Sequence, residues 1–181
     1  MNFAKKLPSL VPEFLVKDLT RSLAFYRDVL GFKLEFERAE SNFAMVSLGE
    51  AWIMLEQTEG FSKASPNQFI EERRWIAGDL EYPFGRGVNF QIQVLDIEAL
   101  YKKVISNNYP INFPLEERSY RVDDQLGPEV LITAEFVPAK FVTAKFVTAK
   151  FITVKQFLIM DPDGYLLRMQ EEVGRDPLIS S

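Results

Sequence analysis

The stretch that decides the fold is Met160-Asp161-Pro162-Asp163-Gly164-Tyr165-Leu166-Leu167-Arg168-Met169-Gln170. It reads as strand, tight turn, strand. Pro162 presets its backbone angle, and Asp163-Gly164 supplies residues that tolerate positive φ. Beyond the turn, Tyr165, Leu167 and Met169 alternate with Leu166, Arg168 and Gln170, so the two sets fall on opposite faces of a sheet. A similar unit lies near the start: residues 43–48 lead into Gly49-Glu50, and Ala51-Trp52-Ile53-Met54-Leu55-Glu56 follows. Superposing the hairpins pairs Gly49-Glu50 with Asp163-Gly164 and Met54 with Arg168. Any two hairpins look alike, so the elements before each must decide whether the match is a duplication.

Working outward, those elements agree. Residues 10–16 predict a strand with Pro12 near its start, and Asp18-Leu19-Thr20 offers N-caps for a helix running to Leu30 and stopped by Gly31. Strands over 32–38, 43–48 and 51–57 follow. Residues 88–94 alternate strictly, with Val88, Phe90, Ile92 and Val94 against Asn89, Gln91 and Gln93. Asp96 caps a helix to about Asn107. A short strand over 109–113 and strands over 156–160 and 165–171 close the pattern. The order βαβββ thus occurs twice, as a module over 8–57 and another over 87–174. Residues 58–86 connect them, with a short charged helix expected over 68–76 after the Ser65-Pro66 start.

One segment breaks the pattern. Residues 134–153 repeat every five positions as AEFVP, AKFVT, AKFVT, AKFIT. Period five swaps strand faces at each phenylalanine and steps about 140° in a helix, so it makes no stripe in either. The spacing has a counterpart in pentapeptide-repeat β-helices, but four copies are about one coil. The reading carried forward is an inserted, β-prone repeat outside the core of the sheet, with Tyr120 and Arg121 ahead of it forming either a rim or a solvated loop.

Composition narrows the chemistry. The chain has 181 residues, 47% of them hydrophobic, enough for one sizeable core or two fused modules. No apolar run approaches the roughly 20 residues of a membrane span. The start lacks the apolar core of a signal peptide, so a cytoplasmic location is expected. There are no cysteines and no histidines, which excludes disulfides, thiol chemistry, histidine bases and histidine metal sites. A net charge of −5 argues against nucleic acid and mildly for a cationic partner, though plain solubility explains it equally well.

Two βαβββ units ending in DPDGYLLRMQEE resemble the vicinal oxygen chelate superfamily of glyoxalase I, extradiol dioxygenases and bleomycin resistance proteins. The stretches that carry the resemblance are VPEFLVKDLTRSLAFYRDVLGFKLEFE, AWIMLE, GRGVNFQIQVLDIEALYKKV and QFLIMDPDGYLLRMQEE. The closest kin in pattern are bleomycin resistance-like proteins. The resemblance implies an α+β fold of curved mixed sheets around a cavity, helices outside, and a homodimer.

Metal-using relatives place ligands at positions that fall here on Val11, Met54, Asn89 and Arg168. Valine cannot ligate, methionine is too soft for the hard divalent ions used there, and arginine repels a cation. A slip of two on the fourth strand would offer Glu56, and even so two weak ligands make no site. No metal, no other cofactor and no catalytic residue is therefore expected. If an enzyme remains, Glu56 and Glu13 are the only candidate bases.

Alternation puts Trp52, Met54 and Glu56 on one face, with Asn89, Gln91 and Gln93, and Leu166, Arg168 and Gln170, on the matching face of the second module. Two readings of these faces are open: a cavity wall, which the resemblance favours, and a solvated outer face. Trp52 either stacks on a planar ligand or fills the core, and Trp75 in the connector reads as a packing residue. The candidate ligand-binding residues are Trp52, Met54, Glu56, Asn89, Gln91, Tyr120 and Arg168, with Glu56 expected to pair with Arg168. The expected partner is a cationic or aromatic small molecule, bleomycin-like in the resemblance's terms, with no nucleic acid and no membrane. A glyoxalase-like lyase, isomerase or dioxygenase and an assembly module built on the repeat are the other two possibilities.

Overall fold

A computed structural model describes residues 8–58, 80–121 and 151–175 of the chain. The expected connector helix and most of the five-residue repeat lie outside the described residues. The first module runs β1 (Glu13–Val16), α1 (Leu19–Ala24), β2 (Lys33–Arg38), β3 (Phe43–Leu48) and β4 (Ala51–Gln57). The second runs β5 (Asn89–Gln93), α2 (Ile97–Ser106), β6 (Ile111–Arg121), β7 (Phe151–Met160) and β8 (Leu166–Arg175). Each module makes one four-stranded mixed sheet, in the orders β1-β4-β3-β2 and β5-β8-β7-β6. The outer pairs β1–β4 and β5–β8 are parallel and the others antiparallel. This is the α+β, twice-βαβββ architecture that the sequence implies.

Local chemistry explains the boundaries. Asp18 and Asp96 cap the two α-helices through their carboxylates, accepting from Arg21 N and Ala99 N. The first helix continues past Ala24 as a π-helical turn, Phe25–Val29, and Gly31 follows at φ +82°. β1 begins only at Glu13, because Pro12 has no N–H for a ladder; its carbonyl still accepts from Met54 N at 2.9 Å.

One apolar core joins both modules. Phe14, Tyr26, Val46 and Leu55 of the first pack in one cluster with Ile97, Phe157, Leu167 and Met169 of the second, all buried. Phe14 stacks on Tyr165 at 4.1 Å and lies 4.7 Å from Phe90.

The Asp161–Gly164 turn latches the modules together. Asp161 accepts from Tyr26 Oη (2.9 Å) and from the backbone N–H groups of Asp163 and Tyr165. Asp163 accepts from Ser22 Oγ and Lys17 N. Both aspartates are buried, so these bonds offset a desolvation that would otherwise be prohibitive. Burial pushes the Asp161 carboxyl up to about 6, and the same burial, with Asp161 beside it, holds the Tyr26 phenol well above its usual range. Gly164 sits at φ +92°, and a Cβ there would lie 2.4 Å from Pro83 Cβ, so the turn requires glycine twice over.

Three strands differ from expectation. β6 covers 11 residues instead of the short strand over 109–113, and β7 and β8 are each longer than their apolar cores. Two register shifts in β6 explain the difference, because they break the alternation that marks a strand. Tyr120 and Arg121 are accordingly strand residues, not a solvated loop. The end of the repeat also belongs to the sheet: Phe151, Ile152 and Thr153 pair with Arg121, Tyr120 and Ser119. The repeat was expected to stay outside the core of the sheet, as a projecting hairpin or paired along a sheet edge; its last three residues extend β7, which lies between β6 and β8.

Candidate functional site

Among the described residues, the core cluster with the helices takes one face of each sheet, and no helix packs on the other. In the first sheet, the two-residue turn at Gly49-Glu50 fixes the register, pairing Leu48 with Ala51, Met45 with Met54 and Phe43 with Glu56. A register shift between Leu34 and Phe36 then turns Phe36 and Arg38 onto the same face. Two rungs result: Glu13–Met54–Met45–Phe36 and Leu15–Glu56–Phe43–Arg38. Trp52, Phe43 and Met45 form a small buried cluster with Val11, Phe36 and Met54 packed against it.

Charge sits at the margin of this apolar floor. The Glu13 carboxyl is pushed up to about 7 by a hydrogen bond with Glu56, by burial and by the Glu56 charge, against a lowering influence from Arg38. A carboxylate neighbour in hydrogen-bond contact disfavours the charged form of Glu13, so Glu13 holds its proton to higher pH than a free carboxyl. The Arg38 guanidinium lies over the Phe43 ring at 4.3 Å.

The second sheet repeats the layout with other chemistry. Its rungs are Gln91–Arg168–Leu158–Phe113 and Gln93–Gln170–Gln156–Glu116. Arg168 Nη2 donates to Gln91 Oε1 at 2.5 Å. Gln156 Nε2 donates to Glu116 Oε1 (2.8 Å) and to Tyr120 Oη (3.0 Å). Arg118 also holds Glu116, at 2.9 Å, and these hydrogen bonds keep that carboxyl below its usual range.

A cavity of about 200 Å3 lies where the two modules meet. β4 has no β1 partner over residues 51–53, because β1 starts opposite Met54. The walls there are Ala51, Trp52 and Ile53, with Leu10, Pro12 and Glu50, and Phe90, Gln91 and Ile92 of β5 close the other side.

The helix-free faces therefore collect Trp52, Met54, Glu56, Gln91, Tyr120 and Arg168. Trp52 and Gln91 share the cavity, and Arg168 is tied to it through Gln91. Asn89 is exposed at the start of β5, opposite Leu166. The expected Glu56–Arg168 pair is not formed: Glu56 meets Glu13 on its own sheet, and Arg168 meets Gln91 on the other. Both reach the nearest neighbour across a parallel ladder, a shorter path than one between modules. Phe36, Phe43, Met45, Arg38, Glu116 and Gln156 were missed. Of these, Phe43 and Met45 were readable from the turn at Gly49-Glu50, whereas Phe36, Arg38 and Glu116 lie beyond register shifts that no alternation reveals.

The model of the glyoxalase/bleomycin resistance protein/dioxygenase superfamily matches residues 9–122, more than half of the chain. The chain belongs to that superfamily. Solved structures agree on the fold. A glyoxalase/bleomycin resistance protein/dioxygenase from Nocardioides is 14% identical, with a TM-score of 0.54 over 97% of this chain and 92% of that one. TioX from Micromonospora sp. ML1 is 15% identical, with a TM-score of 0.53 over 91% of this chain and 98% of that one. A superfamily member from Vibrio splendidus 12B01 is 29% identical over 89% and 95% of the two chains, but its TM-score of 0.33 carries no argument about architecture. No curated protein matches the chain.

The superfamily's metal positions can be tested against this geometry. Met54 packs with Trp52, Phe43 and Met45, and Arg168 brings a guanidinium to its position. Among the described residues no three Asp, Glu, His or Cys side chains cluster as a ligand set. The donors present do not fit a divalent ion held in the superfamily's manner.

Proposed function

We propose that this protein binds and sequesters a cationic, aromatic small molecule, a bleomycin-like antibiotic in chemical character, without metal chemistry. The observation that carries the reading is the cavity between the modules, walled by Trp52 and Gln91. An indole wall and mainly apolar lining suit a planar ring. The Glu13–Glu56 pair and the negative net charge favour a cation. A homodimer in the cytoplasm, the arrangement implied for such proteins, completes the proposal. A thermal-shift screen with bleomycin and other aromatic amines tests it: concentration-dependent stabilisation is expected, and a flat response across the panel rejects it.

One observation favours a second reading. A carboxyl held near 7 on an accessible face suits a general base. That reading makes the protein a metal-independent, glyoxalase-like isomerase or lyase with Glu13 as base. It requires turnover of a carbonyl substrate that is lost in Glu13→Gln.

A further inference from the structure

The cavity between the modules runs along two strand edges. Three consecutive residues of β4, Ala51, Trp52 and Ile53, line it, and so do three of β5, Phe90, Gln91 and Ile92. Consecutive side chains of a strand point to opposite faces, so a cavity that touches all three follows the strand's edge. β5 is the outermost strand of its sheet. β4 lacks a neighbour here because the β1 ladder begins at Glu13, opposite Met54.

The β4 edge is bare for a reason visible in the sequence. Met54 N–H donates to Pro12 O and Thr58 N–H to Val16 O, both at 2.9 Å, so alternate residues of β4 turn their backbone groups toward β1. Trp52 is the next such residue. Continuing this ladder would carry its N–H to Leu10 O and bring Pro12 N to its C=O. Proline has no N–H, so the second bond cannot form. The first is not made either: Leu10 is 82% exposed, and among the described residues Trp52 N–H has no acceptor. Trp52 is itself buried, so both groups look to the cavity for partners. On the opposite wall, Val94 N–H donates to Gln170 O of β8, and the same alternation turns the backbone of Gln91 outward.

An arene alone leaves such edges unsatisfied. A carboxylate brings no donor, and an ammonium brings no acceptor. One extended amino-acid unit brings both, at strand spacing. The cavity, about 200 Å3, lies below the roughly 300–1,000 Å3 of drug-sized pockets, so it takes one residue-sized unit of a larger ligand.

We propose that the cavity binds an acylated amino-acid unit as one added residue of strand, its N–H donating to Trp52 C=O and its C=O accepting from Trp52 N–H. This deepens the ligand-binding function proposed above and rests on it: the ligand carries a peptide linkage beside its aromatic group. The test is a titration of the 15N-labelled full chain with N-acetyl-L-phenylalanine N-methylamide, followed on the Trp52 and Gln91 backbone amides. The comparison probe has the same shape, with an ester oxygen in place of the acetylated N–H. A saturable shift at Trp52 is expected, with the amide about tenfold tighter than the ester. Pro12→Ala supplies the missing N–H and lets β1 pair with Trp52. It should weaken the amide probe about tenfold while the protein keeps its melting transition. No saturable shift at Trp52, equal affinity for the two probes, or full affinity in Pro12→Ala overturns the proposal. If aromatic amines stabilise the protein in the thermal-shift screen while the amide probe fails, only this subsite falls and the broader function stands.

Discussion

The two modules share one ladder and spend it differently. Glu13 opposite Met54 in β1–β4 occupies the place of Gln91 opposite Arg168 in β5–β8. On the core face the equivalents are alike: Phe14 and Leu55 answer to Ile92 and Met169, all buried in one cluster. On the helix-free face they are not. The first sheet presents Trp52, Met54, Met45 and Phe43 with the hydrogen-bonded Glu13 and Glu56 carboxyls, and the second presents amides, Arg168 and Glu116. The core face must match because both sheets bury it in the same apolar interior. The other face carries no such constraint, so it is where the chemistry diverges.

The modules also differ at their matching turns, and this gives the largest expected effects. Asp161→Ala removes the acceptor for Tyr26 Oη and two backbone N–H groups, and should cost about 3–5 kcal/mol in denaturant unfolding. Glu50→Ala, in the first module's exposed turn, should stay within about 0.5 kcal/mol. Comparable losses at both sites would end the claim that one turn alone latches the modules.

Glycine substitutions sharpen the same contrast. Gly164→Ala meets Pro83 as well as an unfavourable φ, and about 2–4 kcal/mol is expected. Gly49→Ala has φ +59° but nothing within 4 Å, so about 1 kcal/mol is expected.

The raised Glu13 carboxyl of the first sheet predicts a pH dependence of stability. Glu13 rises from 4.5 to about 7 on folding, so between these values the folded chain holds a proton that the unfolded chain has released. Its contribution is fully present below pH 4.5 and lost as pH rises through about 7. Asp161 adds a fall in the same direction between 3.8 and about 6. For the accessible Glu13 the effect, discounted for solvent screening, is about 1 kcal/mol. Melting curves at pH 5 and pH 8 should show a higher midpoint at pH 5, and Glu13→Gln should flatten the part of that difference above pH 6. An unchanged profile in the variant would contradict the raised Glu13 carboxyl.

A small effect is also expected from removing the repeat. Arg121 pairs with Phe151, so a tight Asn-Gly turn can join β6 to β7 directly. Replacing residues 123–149 with such a turn should leave a cooperative transition within about 1 kcal/mol of the full chain. Loss of that transition would make the repeat integral to the second module.

The duplicated fold was legible because it depends on signals that are local and periodic. Asp18 and Asp96 announce their helices, and the alternation from Val88 to Val94 announces β5. The face of each sheet turned from the core was legible only where alternation ran undisturbed along it, as at Trp52, Met54 and Arg168. Phe36 and Arg38 reach the first face through a register shift, and Glu116 reaches the second through another. A one-residue shift exchanges the faces and leaves no mark in composition. Pairing was illegible for a different reason. Glu56 and Arg168 are complementary in charge, but each has a neighbour one strand away that forecloses the longer contact.

The central claim is that the cavity between the modules binds an aromatic cation and does so without a metal. Calorimetric titration of chelator-treated protein with metal-free bleomycin, beside elemental analysis of the untreated protein, tests it most directly. The account predicts no stoichiometric Zn, Ni, Mn or Fe, saturable binding that added metal leaves unchanged, and at least about tenfold weaker binding in Trp52→Ala. One metal per chain whose removal abolishes binding, or full affinity in Trp52→Ala, would contradict it.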